Sequence, residues 1–193
     1  DAFAAAVVEF VSVFAVSTVT WVHSIPMPVP HTRPIGTTVS GTRTDLTEAH
    51  SVWQPHTQVP ATAGHLVEYR LAEEGVPIAG FVLLVPHYLG DTEYPAATLA
   101  ALDSITVATG LSFSGDELRE QNREYLTKVG EQVEWSDELS RMLQGLEERY
   151  DAYMAGSTLA TPIIHAGDLP SADELAAELE RFLATRPSAD EDK

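Results

Sequence analysis

Cysteine is absent from the 193 residues. Disulfides, thiolate zinc sites and cysteine nucleophiles are therefore excluded, and a cytoplasmic location is expected. Basic residues are scarce: 11 Lys and Arg stand against 29 Asp and Glu, a formal charge of −18. The excess is uneven, −4 over residues 1–90 (three Arg, seven acids) and −14 over residues 91–193 (eight bases, twenty-two acids). Such a balance argues against wrapping nucleic acid or an anionic membrane, and otherwise serves solubility. The apolar stretch from Ala2 to Val16 is broken by Glu9 and Ser12 and is too short to span a bilayer. Asp1 stands where a secretory leader would be basic. The chain opens inside a helical pattern with no cap, so residue 1 is expected not to be the natural start. Also missing are a G-x-S-x-G elbow, a P-loop, G-x-G-x-x-G and H-E-x-x-H.

What is present is organised around the stretch from Trp21 to Pro34. An apolar run ends in a loop holding Pro26, Pro28, Pro30 and Pro34, with His31 and Arg33 between them. Each proline fixes its own φ and restricts its predecessor, so the loop is stiff and cannot be helical. Val85-Pro86-His87 repeats Val29-Pro30-His31, again after an apolar run.

The spacing of Ala4, Val7, Val8, Val11 and Phe14 predicts a helix over residues 2–15. The β-branched and aromatic run from Thr18 to Ile25 predicts a buried strand. Thr-rich Ile35 to Arg43 reads as an exposed strand, with Ser51 to Val59 as its hairpin partner, confined to an edge by Pro55. A helix is expected from Pro60 to a stop at Gly75. Ile78 to Val85 is continuously apolar, as in a central parallel strand covered on both faces. The order strand, helix, strand gives a crossover, and both Pro-His loops then leave the carboxyl edge of one sheet, where open α/β sheets bind ligands. A helix follows from Asp91–Pro95 to Gly110. Ser114 to Glu117 reads as a capping box opening an α-hairpin that turns near Glu134–Ser136 and ends at Gly156. Its first helix has the thinner apolar stripe and should bury less. A second capping box, Ser171 to Glu174, opens a last helix. The expected division is an α/β core over 1–113 with a hairpin insertion at 35–59, a helical arm or lid over 114–186, and a disordered tail over 187–193.

The proline loop from Ile25 to Pro34, the stretch Gln58 to Gly64, Val85 to Tyr88 with Thr92 to Pro95, and Leu169 to Leu175 together resemble the PAC2 family, named for proteasome assembly chaperone 2, in its actinobacterial type. The resemblance implies a three-layer α/β fold with a largely parallel sheet, similar to purine nucleoside phosphorylases. It also implies a hairpin used in self-association, a helical arm, and chaperone-like protein binding. The chain resembles the later part of a longer family member.

The candidate ligand-binding residues are His31, Arg33, His87, Tyr88, Glu93 and Tyr94. A proline-held Arg33 could clamp a carboxylate or phosphate bidentately, or tie its own loop to carbonyls or to Glu93. Glu93 could pair with His87 for acid–base work, or cap the helix behind it. His23, His31, His87, Asp91 and Glu93 are potential metal ligands, but without tight ligand spacing neither metal nor cofactor is expected. Two functions compete. One is a binding or assembly module, self-associating as a homo-oligomer such as a trimer and holding a protein partner or small anionic ligand. The other is a hydrolase or transferase acting on a small anionic substrate.

Overall fold

The computed structural model describes residues 2–51 and 61–156, all within one compact unit. In chain order these form α1 (Ala2–Val13), β1 (Val19–Met27), β2 (Gly36–Gly41), α2 (Thr44–His50), α3 (Ala63–Glu73), β3 (Ile78–Pro86), a 3-10 turn (His87–Leu89), α4 (Pro95–Thr109), α5 (Asp116–Glu134) and α6 (Asp137–Gly156). The expected strand at Ser51–Val59 (all but Ser51), the loop after Gly156, the helix at Ser171 and the tail lie outside the described residues.

β3 is central in the order β1-β3-β2, and its apolar run is buried almost throughout. β1 pairs with it in parallel, from Val19 opposite Ile78 to Met27 opposite Pro86. β2 pairs with it antiparallel, from Gly36 opposite Leu84 to Gly41 opposite Ala79. The sheet is thus mixed, not largely parallel as expected. The reason is β2: the Thr-rich segment pairs with the central strand, and Thr44–His50 continues as a helix. The limb expected to pair with it lies, but for Ser51, outside the described residues, and Ser51 Oγ accepts from the Val39 N–H at 3.0 Å. Gly41 makes the close approach feasible. Its φ is +106°, and a Cβ there would lie 2.2 Å from the Ile78 carbonyl oxygen.

Alternation along β3 divides the core into two faces. Ile78 packs with Ala4, Val11, Val67 and Leu71 of α1 and α3. Ala79 and Phe81 meet Val39, Leu46 of α2 and Ala108 of α4. Leu83 and Val85 meet Leu89, Tyr94 and Val129 of α5. Helices therefore cover both faces of the sheet.

Several element ends differ from expectation. α1 stops at Val13, so Phe14 leaves the core and stacks on Phe10 with ring centroids 4.4 Å apart. α3 starts at Ala63, not Pro60. Thr62 and His65 close a reciprocal capping box there, with histidine where the usual template has Glu or Gln. The box expected at Ser114 does not form; Gly115 is the N-cap and uses no side chain. Ser136 does cap α6, its hydroxyl accepting from the Leu139 amide at 3.3 Å. In the arm, α5 contributes buried Val129 and half-buried Tyr125, Leu126 and Val133 to the core, and α6 fully buries Leu146.

Candidate functional site

β1 and β3 are both nine residues long and aligned end to end, so Met27 and Pro86 finish side by side. Both Pro-His segments therefore emerge at one edge, and Tyr88 sits between the two histidines. Its ring lies edge-on to His31 at 5.8 Å and to His87 at 5.4 Å. The Tyr88 oxygen accepts from the His31 backbone N–H at 2.8 Å and lies 2.7 Å from His31 Nδ1. The phenol oxygen has a second lone pair and one hydrogen, so the bond runs from the phenol to a bare Nδ1 or from an Nδ1–H to the phenol, according to the imidazole tautomer. Burial lowers the His31 pKa below its ordinary value, against an opposing pull from Glu147. Burial raises that of Tyr88, although the His31 N–H favours the phenolate. His87 is exposed, and its Nδ1 donates to the Met27 carbonyl at 3.3 Å.

Tyr94 lies beneath these groups rather than among them. It is buried in the core, and desolvation, with Tyr88 and Tyr125 nearby, pushes its phenol up to about 12. Glu93 is exposed one position before Tyr94, the N-cap of α4, which has no side-chain cap bond. Glu93 thus does not cap the helix.

Arg33 is engaged by α6. Its Nε and Nη2 donate to the two carboxylate oxygens of Asp151 at 2.8 and 2.7 Å, and Nη1 reaches Glu147 Oε1 at 3.3 Å. Thr32 also donates to Glu147, and the Tyr150 hydroxyl donates to the Pro34 carbonyl at 3.2 Å. Residues 147, 150 and 151 share one helical face, so α6 binds the proline loop as a strap. The paired guanidinium holds the Asp151 carboxyl below its usual range, and Asp151 in turn raises Arg33. Nothing in the sequence pointed to these partners, which lie about 115 positions away.

A second polar cluster lies over the sheet beneath α3. Trp21, Gly80 and Ser40 are in register across the three strands. Trp21 Nε1 and Ser40 Oγ both donate to Glu68 Oε2 at 2.9 Å. Gly80 leaves them room, since a Cβ there would lie 2.4 Å from that oxygen. His23 stacks on Trp21, the rings 4.8 Å apart, with His65 edge-on to both. His23 Nε2 is buried without a hydrogen-bond partner among the described residues, and burial lowers its pKa, with His65 adding to the effect. Among the described residues no group of three His, Asp or Glu side chains is arranged to hold a metal ion.

Both Pro-His loops, the Tyr88 contact and the strand pair beneath them fall inside residues 1–133, the span matched by the profile of the PAC2 family. The chain belongs to the PAC2 family. Two solved structures share about a third of its sequence. A Mycobacterium tuberculosis protein of unknown function is 35% identical (TM-score 0.75), covering 80% of this chain and 53% of its own. A Corynebacterium glutamicum protein of unknown function is 34% identical (TM-score 0.74), covering 78% of this chain and 56% of its own. A proteasome-assembly chaperone homologue from Mycobacterium tuberculosis has the same fold (TM-score 0.65) at 19% identity, covering 74% of this chain and 60% of its own. The PAC2 chain thus spans little more than half the length of these relatives. No curated protein matches it. Among the described residues no helix is long and apolar enough to cross a membrane.

Proposed function

We propose that this PAC2 chain is a protein-binding module of the assembly-chaperone kind, which presents the carboxyl edge of its sheet to a partner in the cytoplasm. The observation that carries this reading is the fold shared with a proteasome-assembly chaperone homologue, joined to a site whose polar groups are engaged with one another. Tyr88 satisfies His31, and Asp151 with Glu147 satisfies Arg33. Such an edge offers a shaped, pre-organised surface rather than a reactive group. Its exposed members are His87 and Glu93, with half-buried His31, Arg33 and Tyr88 behind them and Tyr94 as the support. The α5–α6 arm serves as the lid of this edge, strapped shut through Arg33. The hydrolase or transferase reading has less behind it, because the guanidinium that would clamp a small anion already holds a carboxylate.

The finer assignments belong to the same proposal. Relatives of about one-third identity from Mycobacterium and Corynebacterium support the actinobacterial type. A mixed sheet with helices on both faces supports a core of the purine nucleoside phosphorylase kind. The greater length of the relatives supports reading the chain as the later part of a longer family member. Self-association, as a trimer or another ring, is supported by the outer side of α1 and the residue just past its end, where Phe3, Phe10 and Phe14 are each more than half exposed.

Mixing the full chain with unassembled proteasome subunits tests the reading. The expected result is a complex on size-exclusion chromatography, with hydrogen exchange slowed over residues 28–34 and 87–94. Absence of a complex, or a complex that leaves exchange at those residues unchanged, overturns it.

A further inference from the structure

At the tip of the arm, Trp135 is 91% exposed. Tryptophan is among the most buried side chains on average, so an indole standing almost wholly in water is unusual. The backbone beneath it is fixed. The Trp135 N–H donates to the Glu131 carbonyl at 3.2 Å, and the Ser136 N–H to the Val133 carbonyl at 3.2 Å. The Ser140 hydroxyl donates to the Val133 carbonyl at 2.8 Å. The indole is therefore displayed on a rigid turn and loses little backbone entropy on binding.

Its surroundings are of one sign. Glu131, Glu134, Asp137 and Glu138 are exposed around the turn, and none makes an ion pair among the described residues. Toward the start of α5, Asp116 pairs with Arg119 and Glu120 with Arg123. The nearest bases are Lys128, a turn earlier on α5, and Arg141, which donates to the Asp137 carbonyl at 3.0 Å. Acidic residues alone are ordinary solvated surface, but an exposed indole inside them is a cation-binding face. Tryptophan is also the side chain most enriched at interface hot spots.

We propose that the Trp135 turn is a docking surface for a basic segment of a partner protein. A lysine or arginine of that segment lies on the indole, and its neighbours meet the four carboxylates. Charge excludes the other occupants. A second copy meeting this turn with its own would set four carboxylates against four. Nucleic acid and anionic lipid are repelled for the same reason. This surface refines the protein-binding reading with residues that reading does not use, and its failure would leave the Pro-His edge untouched.

The test follows the indole N–H resonances of the full, 15N-labelled chain during titration with an amidated six-residue peptide of arginine and lysine, with a glutamate peptide as control. The basic peptide should shift the Trp135 resonance saturably and leave that of Trp21 in place; the acidic peptide should shift neither. Trp135→Ala should weaken binding about two- to fivefold, the range of an exposed cation–π contact, with unchanged thermal stability, because the indole packs on nothing. Trp135→Phe should recover part of the loss. Glu134→Gln with Asp137→Asn should flatten the salt dependence. If Trp135→Ala binds as tightly as the parent, or the double amide variant leaves the salt dependence unchanged, the surface is bulk charge and the proposal fails. A dimer that dissociates in Trp135→Ala would equally overturn it, by making a second copy the occupant.

Discussion

Tyr88→Phe removes one oxygen that serves two groups on another loop. The His31 N–H loses its acceptor and His31 Nδ1 loses its hydrogen-bond partner, while the ring contacts remain. Each hydrogen bond contributes about 0.5–1.5 kcal/mol net, and a buried group left unpaired costs about 1–3 kcal/mol. His31 is only half-buried, so water recovers part of the loss. The expected destabilisation is therefore about 1–2 kcal/mol, read as a lower urea midpoint at constant slope. A second readout separates this bond from a general loosening. The hydrogen bond to Nδ1 ties the His31 tautomer to the Tyr88 hydroxyl. Without it the tautomer balance of His31 should change, which is visible by NMR. If the tautomer balance stays as before and the midpoint does not move, Tyr88 does not link the two Pro-His loops. A double-mutant cycle with His31→Ala would locate the coupling in this pair.

Acid should destabilise the fold through two histidines. His23 and His31 both have pKa values lowered from 6.5 by burial, so between those values and 6.5 the unfolded chain binds more protons. Stability should be full above about pH 6.5 and fall as pH drops through the folded values; His31→Gln with His23→Gln should flatten this dependence, and an unchanged pH profile would refute it. Gly80→Ala places a methyl 2.4 Å from Glu68 Oε2 and 2.5 Å from Trp21 Nε1, and should cost about 1–3 kcal/mol by urea unfolding; a variant as stable as the parent would show that the cluster tolerates the extra atom. Arg33→Ala should speed hydrogen exchange in α6 around Glu147–Asp151 and spare α5, anchored by buried Val129; unaltered exchange in α6 would mean that Arg33 is not its fastening.

The strands and most helices were legible because their signals are local. Ile78–Val85 is apolar throughout, Gly110 terminates α4 in the left-handed region, and Ser136 caps α6. The meeting of the two Pro-His loops followed from two equal parallel strands, which the repeated Val-Pro-His already suggested, whereas the place of Tyr88 between the histidines did not. What stayed hidden depends on tertiary choice. A Thr-rich segment reads as an exposed strand whatever its neighbour, and its antiparallel pairing with the central strand depends on the close approach of Gly41 to Ile78. The apolar stripe of α5 gave its width but not its partners, Tyr94 and Leu83, which the preceding helix and strand set. Arg33 was singled out for its stiff loop, yet its carboxylate partners on α6 leave no mark in the sequence near it.

The strap and the loop it binds differ in origin along the chain. The proline loop lies within the span matched by the PAC2 profile, residues 1–133, whereas Glu147, Tyr150 and Asp151 lie beyond it. The fastening therefore joins the matched core to a helix outside the matched span. Its chemistry is suited to release. The ion pairs are exposed enough for solvent to screen them, with Asp151 half exposed, so they add specificity of placement more than strength. A partner with its own carboxylate could take the Asp151 position on Arg33 without any change in the proline loop, which is already rigid. In the proposed lid, release of α6 from the loop would also have to free Leu146, which is fully buried. The stiff loop would then keep the site's shape, and the exposed ion pairs would set how readily the last turns of the helix leave it.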